Sequence, residues 1–424
     1  MDSGHIASQV RAVLALVGNS DGVAKGRREL SMSESSSFDI RHHDSIASIP
    51  PGDWDRLFPG KSEDWAYFRA CELSNSLQFK FSALAVYDGG ELIAATPVFK
   101  LDLRIDMALG DSMRRFSDYL MRIAPRLVKL PIIGMGHPMT EECPLGFAPG
   151  LSHDARARVL AEMIRALEVV AKASRCKIVV MKDVTHDDTA AYRTVVENAG
   201  YGAIESLPIA QMNVSFTSLD AYIQSMPSKR RTQIRKKMRQ AGEVDVSFVD
   251  NIDGLESELK ALYNETRQRR ARNYEAFDEV PDDYFSKVTA SSDGNVKIML
   301  SRIDGKLVGF MFLLVEDDRL IFKFVGMHYP LALDRSLYFH QWMSMVDFCI
   351  KNRITLLQAG QTNYTTKIRM GCELRRSWVF FKYTGRILGP VVKLIGSKQS
   401  LAAQEPDLIE LGKHAHYLNE PRAE

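Results

Sequence analysis

The strongest constraint on the fold is a pattern that occurs twice in the chain. Residues 81–101 read FSALAVYDGGELIAATPVFKL, and residues 296–315 read VKIMLSRIDGKLVGFMFLLV. Each is an apolar strand, a turn containing Asp-Gly and a second apolar strand. Asp-Gly turns favour hairpins because glycine adopts positive φ without steric cost. We therefore predict two β-hairpins in corresponding positions of the chain.

A second pair of segments matches in the same order. Residues 176–216 and 353–383 both read as strand, helix, glycine and strand, which indicates two copies of one α/β unit. The first copy is longer by about 45 residues, which we place as an insertion at 102–150. The alternative is two unrelated α/β domains that share common turns. The predicted divisions are a disordered leader (1–37), an N-terminal domain (38–216), a C-terminal domain (217–400) and a polar tail (401–424).

Composition excludes several classes of protein. The chain has 424 residues, 45% hydrophobic and 25% charged, as expected for two or three soluble domains. Its five cysteines are far apart and form no CxxC pair, so neither a zinc site nor a disulfide framework is predicted. No apolar run reaches the ~18 residues that span a bilayer, and Arg11 interrupts the only N-terminal run. A cytoplasmic location is the default, and either Met1 or Met32 is the start.

Three segments are rich in positive charge. Residues 228–240, SKRRTQIRKKMRQ, contain seven basic residues and no acid. Arg231, Arg235 and Arg239 are four residues apart, so a helix would place them on one face, suited to phosphates, RNA or acidic lipid headgroups. Residues 112–134 and 385–398 mix basic and apolar side chains, as helices on anionic membranes do. The alternative for each is an ordinary solvated surface helix.

The polar crossing within residues 359–383 is the predicted site. It leaves one apolar strand, carries Tyr364, Lys367 and Arg369, and re-enters a second strand at residues 378–381. Such crossings form sites at the carboxyl ends of strands in α/β sheets. We predict that this segment closes an acyl- or aminoacyl-transfer site.

The order of motifs in the second half resembles the Fem-like branch of the GNAT acyltransferase superfamily. The motifs are MPSKRRTQIRKKMRQAGEV, LYNETRQRR, IDGKLVGFMFLL, FVGMHYP, LYFHQWMSMVDFCIKN and LLQAGQTNYTTKIRMG, and the match is best over residues 215–384. The resemblance implies an α/β (α+β) fold of two tandem GNAT-like domains, with mixed central sheets flanked by helices. The pyrophosphate-binding glycine loop typical of acetyl-CoA enzymes is missing, since that position reads GMHYPLALDRSLYF.

The resemblance also implies roles for particular residues in direct attack of an amine on an activated acyl carbon. Lys367 is expected to bind a phosphate or the developing oxyanion, and Tyr364 to protonate the leaving group. His328 or Glu275 is the expected base, and no covalent enzyme intermediate is expected. The predicted substrate- and phosphate-binding residues are Arg231, Arg235, Arg239, Arg335, Ser336, Gln361 and Arg369.

These residues lead to one principal expectation and two alternatives. The principal expectation is an N-acyltransferase that moves an acyl group from acyl-CoA or an acyl carrier protein thioester onto a lipid or envelope amine, with a sphingoid base as one candidate. It would act in the cytoplasm or on the inner face of the membrane, without bound cofactor or metal and without DNA. The alternatives are an aminoacyl-tRNA-dependent transferase on a peptidoglycan precursor and a non-catalytic envelope-binding protein.

Overall fold

The computed structural model describes residues 38–104, 129–270, 280–385 and 400–412, except residues 75, 77 and 330. The predicted leader, Glu275 and most of residues 112–134 and 385–398 lie outside the described residues. The chain divides into two compact units. The first unit comprises Met1–Asp53, Gln78–Glu205 and Trp378–Ser400, and the second comprises Trp54–Leu77, Ser206–Ser377 and Leu401–Glu424.

Each unit contains one mixed sheet. The strands of the first sheet are β1 (Asp39–His43), β2 (Phe79–Asp88), β3 (Glu91–Arg104), β4 (Lys129–Met135), β5 (Gly146–Phe147), β6 (Ile178–Thr185), β7 (Gly202–Glu205) and β15 (Ser377–Tyr383). The strands of the second sheet are β8 (Ile209–Asn213), β9 (Asp245–Val249), β10 (Val296–Ile303), β11 (Lys306–Val315), β12 (Arg319–Met327), β13 (Leu356–Gly360) and β14 (Glu373–Arg375).

Helices flank both sheets, as the predicted α/β class requires. They are α1 (Pro51–Asp55), α2 (Trp65–Leu73), α3 (His153–Ala173), α4 (His186–Asn198), α5 (Leu219–Gln224), α6 (Ser228–Ala241), α7 (Glu256–Arg270), α8 (Tyr284–Ser291), α9 (Leu331–Asp334), α10 (Leu337–Lys351), α11 (Tyr364–Arg369) and α12 (Pro406–Gly412). The prediction of mixed sheets flanked by helices is confirmed.

Both predicted hairpins are present. Strands β2 and β3 pair antiparallel around Gly89 and Gly90, and β10 and β11 pair around Asp304 and Gly305. All four turn residues have positive φ, between 50° and 88°. Two consecutive positive φ angles define the hairpin turn whose twist matches that of the flanking strands. Local turn chemistry therefore places these hairpins correctly.

The two sheets have the same strand order, with one strand exchanged between the halves of the sequence. The first sheet runs β1-β2-β3-β4-β6-β15-β7, and the second runs β9-β10-β11-β12-β13-β8-β14. The fourth and fifth strands are parallel in both sheets. The sixth position of each sheet is occupied by a strand from the other half of the sequence, β15 or β8. This correspondence supports the predicted duplication.

Two sequence predictions require correction, and the polar tail contains a helix. The interval 102–150 is not an insertion throughout, because β4 lies in the middle of the first sheet and β5 pairs with β3. The strand at residues 377–383 does not return to the sheet of β13, as a crossing that closes one site would require. Within the polar tail, α12 packs on α11, and Asp407 accepts a hydrogen bond from the Thr365 N–H at 3.4 Å.

The divisions of the chain also differ from those predicted at residues 216 and 217. Residues 54–77 and β8 belong to the second unit, and β15 belongs to the first. An apolar strand reads the same whichever sheet it joins, so its pattern does not reveal its partner. Chain order alone therefore assigned these strands to the wrong sheets.

The second sheet is buried on both faces. Met311 and Leu313 of β11 point to a core that contains Trp342 of α10, while Phe310 and Phe312 point to an aromatic cluster with Phe285 of α8. This alternation follows from the two-residue period of a strand. Helices α5, α6 and α10 cover the first face, and α2, α7 and α8 cover the second.

A buried ion pair joins β12 to its surroundings. Arg319 donates to both carboxylate oxygens of Glu316 at 2.8 and 2.9 Å and to Oε1 of Gln358 at 3.0 Å. Glu316 also accepts from the N–H and hydroxyl of Ser62, both at 3.0 Å. Burial would raise the pKa of Glu316, but Arg319, Ser62 and Lys61 together hold it below its ordinary value. Buried charges need such compensation to remain ionised.

Beside this ion pair, a cavity of about 380 Å³ is lined by acidic side chains that include Asp55 and Asp64. Asp64 caps α2 by accepting from the Tyr67 N–H at 2.8 Å. Burial, together with the charge of Asp55, raises the pKa of Asp64 to about 6. The ionised form of Asp64 is therefore the costly form in the folded chain.

Replacing Asp64 by Asn should stabilise the protein in a pH-dependent manner. Asn keeps the capping acceptor and removes the charge, whose cost is absent below the ordinary pKa of 3.8 and complete above about 6. We expect stabilisation on the order of 2 kcal/mol at pH 7.5 that is largely lost by pH 4. Urea unfolding at both pH values measures it. Asp220→Asn, an exposed carboxylate in the first turn of α5, is the control; equal gains at both pH values would contradict the prediction.

Candidate active site

The parallel strands β12 and β13 separate towards their carboxyl ends. Their pairing runs only from Arg319 opposite Leu356 to Ile321 opposite Gln358. Beyond that point β12 continues to Met327 beside β11, while β13 continues to Gly360 beside β8. A gap between neighbouring parallel strands exposes backbone groups and admits a substrate at the carboxyl edge. The candidate site is therefore at this edge.

The loop that follows β13 has an unusual backbone conformation. Gly360, Thr362 and Asn363 have φ angles of 78°, 65° and 51°. Positive φ is easy for glycine, but threonine is β-branched and rarely adopts it. Such strained backbone persists only where surrounding contacts enforce it, and it occurs often at functional sites. The loop lies within the polar crossing that the sequence singled out.

Three predicted site residues hold this loop. Lys367 is 4% exposed, and its Nζ donates to the Gly360 and Gln361 carbonyl oxygens at 3.1 and 2.9 Å. The Gln361 side-chain amide donates to the Leu207 carbonyl at 2.9 Å. The Tyr364 hydroxyl is fully buried and donates to the Pro208 carbonyl at 2.8 Å. These contacts fix the end of β13 against the segment that leads into β8.

This placement bears differently on the roles predicted for two of these residues. The Tyr364 hydroxyl is fully buried and donates a hydrogen bond to a backbone carbonyl. This arrangement argues against a role in protonating a leaving group. Lys367 binds two carbonyl oxygens, so its observed contacts are those of a residue that positions the loop. Its expected contact with a phosphate or an oxyanion stays a prediction.

Lys367→Met should loosen the loop. The substitution removes two charge-assisted hydrogen bonds and leaves two buried carbonyl groups less satisfied, a loss of about 1.5–3 kcal/mol for each such bond. We expect the amides of residues 361–364 to exchange with solvent at least ten-fold faster, measured by hydrogen–deuterium exchange. Lys297→Met, which breaks a partly exposed ion pair with Asp250, is the matched control. Unchanged exchange in the loop would show that Lys367 does not hold it.

A histidine–glutamate pair lies at the end of β12. His328 Nδ1 is 3.1 Å from Oε2 of Glu265 on α7, and Oε1 of the same carboxylate accepts from the Tyr329 N–H at 2.6 Å. Desolvation would raise the pKa of Glu265, but these hydrogen bonds and the charge of Arg269 lower it. The ionised carboxylate favours the tautomer with a proton on Nδ1. Nε2 of His328 is then a proton acceptor on a side chain that is 48% exposed.

Cationic side chains gather where α6 meets the start of α10. Lys237 Nζ lies 3.5 Å from the ring centroid of Phe339, and burial together with the charge of Arg369 lowers the pKa of Lys237. Ser336, at a φ of 49°, does not cap α10, because its hydroxyl donates to Oε1 of Gln240 at 3.2 Å. The first turn of this helix is a place for an anion, since backbone N–H groups and the helix dipole point there.

The structure brings together some of the predicted residues and separates others. Ser336 and Arg335 contact the end of α6, near Gln240 and Gly242, and Arg369 lies near Lys237. Arg239 is exposed on α6. Arg231 instead donates to the Met226 carbonyl at 2.8 Å, and Arg235 lies 3.9 Å from Asp220. Arg231 thus serves the segment that precedes the helix.

Sequence reasoning missed the carboxylate that orients His328. Glu265 belongs to the motif LYNETRQRR, one of those that carry the family resemblance, while Glu275 was chosen as the alternative base. Glu275 lies outside the described residues. Helical spacing within α7 places Glu265 one turn before Arg269, whose guanidinium lies 4.3 Å from the Tyr329 ring centroid. That spacing alone does not reveal which strand end the glutamate meets.

Two further observations concern other kinds of site. In the described ranges, no group of three or more His, Cys, Asp or Glu side chains is arranged to hold a metal ion. Among the helices described, none combines the length and the apolarity needed to cross a bilayer.

Comparison with known proteins agrees with this fold. Residues 228–367, which include α6, β12, β13 and Lys367, match the family described as Acetyltransferase (GNAT) domain. The structure of FemX is similar with a TM-score of 0.51 and 12% identity, covering 75% of this chain and 91% of FemX. Comparison with curated proteins gives no match.

Two other solved structures give lower scores. A putative lysylphosphatidylglycerol synthetase C-terminal domain from Agrobacterium fabrum has a TM-score of 0.46 and 10% identity, covering 83% of this chain and 95% of that one. A tandem GNAT protein from the clavulanic acid biosynthesis pathway also has a TM-score of 0.46, with 11% identity and coverages of 82% and 99%.

The strand order and the family match together identify the architecture. Two sheets of one strand order, the second carrying the GNAT match, constitute a tandem GNAT fold. Residues 228–367 match the GNAT acetyltransferase domain, and the similarity to FemX agrees with a GNAT-like fold.

Proposed function

We propose that this enzyme transfers an acyl group from a thioester, acyl-CoA or acyl carrier protein, to the amine of a lipid or other cell-envelope molecule. The observation that carries the proposal is the His328–Glu265 pair at the point where β12 and β13 separate. A histidine oriented by a carboxylate is a suitable general base for an amine that arrives as an ammonium ion.

The chemistry requires one proton acceptor and one developing oxyanion. Nε2 of His328 removes a proton from the acceptor ammonium, while the Nδ1–H of the same ring stays hydrogen-bonded to Oε2 of Glu265. The free amine then attacks the thioester carbonyl carbon, the C–S bond breaks, and the thiolate takes the surplus proton from the attacking nitrogen. The products are an amide and a free thiol. The chain contributes positioning and proton removal, which together lower the barrier to aminolysis.

The phosphates of the donor would lie at the start of α10. Arg335, Lys237 and Arg369 supply positive charge there, and the uncapped first turn supplies N–H donors. These groups fit a phosphate ligand even though the usual glycine-rich loop is replaced by residues that include α9. A lipid acceptor within an anionic membrane accords with the basic surface of α6, and a sphingoid base is one candidate. Membrane roles for residues 112–134 and 385–398 stay predictions.

The proposal is tested with the purified enzyme and two acceptors. Incubation with a long-chain acyl-CoA and sphinganine should give the N-acyl product by mass spectrometry, whereas aminoacyl-tRNA with a peptidoglycan precursor should give none. In a deletion strain, an N-acylated lipid should disappear while muropeptides are unchanged. Altered muropeptides with intact lipids would instead establish the aminoacyl-transfer alternative. No change in either would favour a non-catalytic envelope-binding protein.

A further inference from the structure

The exposed side of α6 is a continuous basic stripe. Ile234, Met238 and Ala241 face the core, so Lys229, Arg235, Lys236 and Arg239 project into solvent on the opposite side. Among the described residues, none of these four has a carboxylate closer than the 3.9 Å that separates Arg235 from Asp220. Repulsion between these like charges destabilises the helix unless an anionic partner neutralises them.

An exposed leucine lies beside the end of this stripe. Leu333 of α9 is 59% exposed, more than the other large hydrophobic side chains that stand out in the described ranges, Leu73 and Ile409. The Gln240 side chain on α6 donates to the Asp334 carbonyl at 2.7 Å, so the last turn of α6 contacts the residue that follows Leu333. The surface therefore combines an apolar tip with a basic border.

This combination favours one kind of partner. Single-stranded RNA is held by basic residues together with aromatic stacking surfaces, whereas a lone exposed leucine offers nothing to stack on. An anionic bilayer uses both features, because its headgroups attract Lys and Arg while its acyl boundary accepts a leucine side chain. Charge complementarity and the apolar tip thus select a membrane surface.

We propose that the exposed stripe of α6 and Leu333 form a docking surface for an anionic lipid bilayer. The inference rests on the proposed function in one respect, that the acceptor is a membrane lipid. The Ala332 N–H donates to the His328 carbonyl at 2.9 Å, so a single turn of chain joins Leu333 to the base. Docking through Leu333 would hold His328 near the headgroups, where a lipid amine is found.

Vesicle co-sedimentation of the full-length protein tests the surface. The wild-type protein should bind phosphatidylcholine vesicles that contain phosphatidylglycerol and should bind pure phosphatidylcholine weakly. Each basic residue near an anionic surface contributes about five-fold in affinity. The double variant Lys229→Glu with Lys236→Glu should therefore weaken binding by about 20-fold or more. Leu333→Ser should weaken it by about ten-fold.

Matched controls lie elsewhere on the second unit. Lys306→Glu with Lys351→Glu changes the net charge equally on exposed positions, and Leu73→Ser removes another exposed leucine. These controls should retain vesicle binding within about two-fold, as surface substitutions away from a binding site generally do. Equal binding of wild-type protein to both vesicle types, or full binding by the docking variants, would overturn the proposal. Binding of tRNA that is lost on charge reversal, with no vesicle binding, would assign the stripe to RNA instead.

Acyl transfer to a short-chain, water-soluble amine separates this inference from the proposed function. The docking variants should turn over that acceptor at the wild-type rate, since neither Lys229, Lys236 nor Leu333 belongs to the site. Absence of turnover in the wild-type protein would contradict the proposed function. The vesicle assay would still test the docking surface independently.

Discussion

His328→Gln should lower kcat for acyl transfer by about 10²–10⁴-fold, the range that a positioned general base contributes. Gln keeps a polar side chain of similar reach but cannot accept a proton from an ammonium ion. Because His328 is 48% exposed, the substitution should leave the fold intact, as circular dichroism and thermal unfolding can verify. Steady-state kinetics with a soluble amine acceptor give the rate.

Glu265→Gln distinguishes orientation from a merely structural contact. The amide still reaches His328, but it no longer favours the tautomer with a proton on Nδ1, so kcat should fall by about ten-fold or more while KM changes little. The pH profile of kcat/KM should also change, because the base loses its anionic partner. Glu258→Gln, on an exposed position of the same helix, is the control. Wild-type kinetics in both the His328 and the Glu265 variants would remove this pair from the mechanism.

Arg319→Met should destabilise the second unit by about 3–5 kcal/mol, because it leaves the buried carboxylate of Glu316 without its principal partner. Arg319 and Glu316 are 8% and 7% exposed, so water cannot replace the lost contacts readily. Urea unfolding monitored by tryptophan fluorescence measures the loss, since Trp342 lies in the core of that unit.

The loss of stability caused by Arg319→Met should depend on pH. In the native protein the pKa of Glu316 is lowered, so its stabilising contribution is present at neutral pH and is lost as the pH falls through the folded-state pKa. In the variant, protonation relieves the unpaired charge, so the deficit should shrink towards pH 4. Lys351→Met, which breaks an exposed pair with Asp347, should change stability by less than about 0.5 kcal/mol. An equally small loss of stability for Arg319→Met would show that the buried ion pair is not needed for the stability of the second unit.

Much of the fold was predictable because its signals are local. The Asp-Gly turns specify positive φ within a few residues, and the flanking apolar runs specify strands. The repeated order of strand, helix, glycine and strand then predicted two copies of one unit. The insertion was predicted too long because the residues of β4, KLPIIGM, follow a basic stretch that resembles an amphipathic helix. The pattern of residues 112–134 therefore concealed a central strand.

The site was predictable in its strands and less so in its side chains. The sequence placed His328 and Lys367 at strand ends. The structure has His328 directly after β12, whereas Lys367 lies on α11 and reaches the end of β13 through its Nζ. The partner of His328 was missed because Glu265 is on a helix 63 residues earlier, and only packing of that helix on β12 brings it close. Burial was equally hidden, since nothing in the motif NYTTKIRMG shows that the Tyr364 hydroxyl is enclosed.

The reciprocal placement of β8 and β15 has a consequence for biosynthesis. The first sheet lacks its sixth strand until residues 377–383 have been translated, long after its other strands. A nascent first half would therefore present unpaired strand edges at β6 and β7, which are sites for aggregation or chaperone binding. Pairing between such distant segments is slow because a long loop must close first. A gene fragment cut between the two copies would lack a strand in either product.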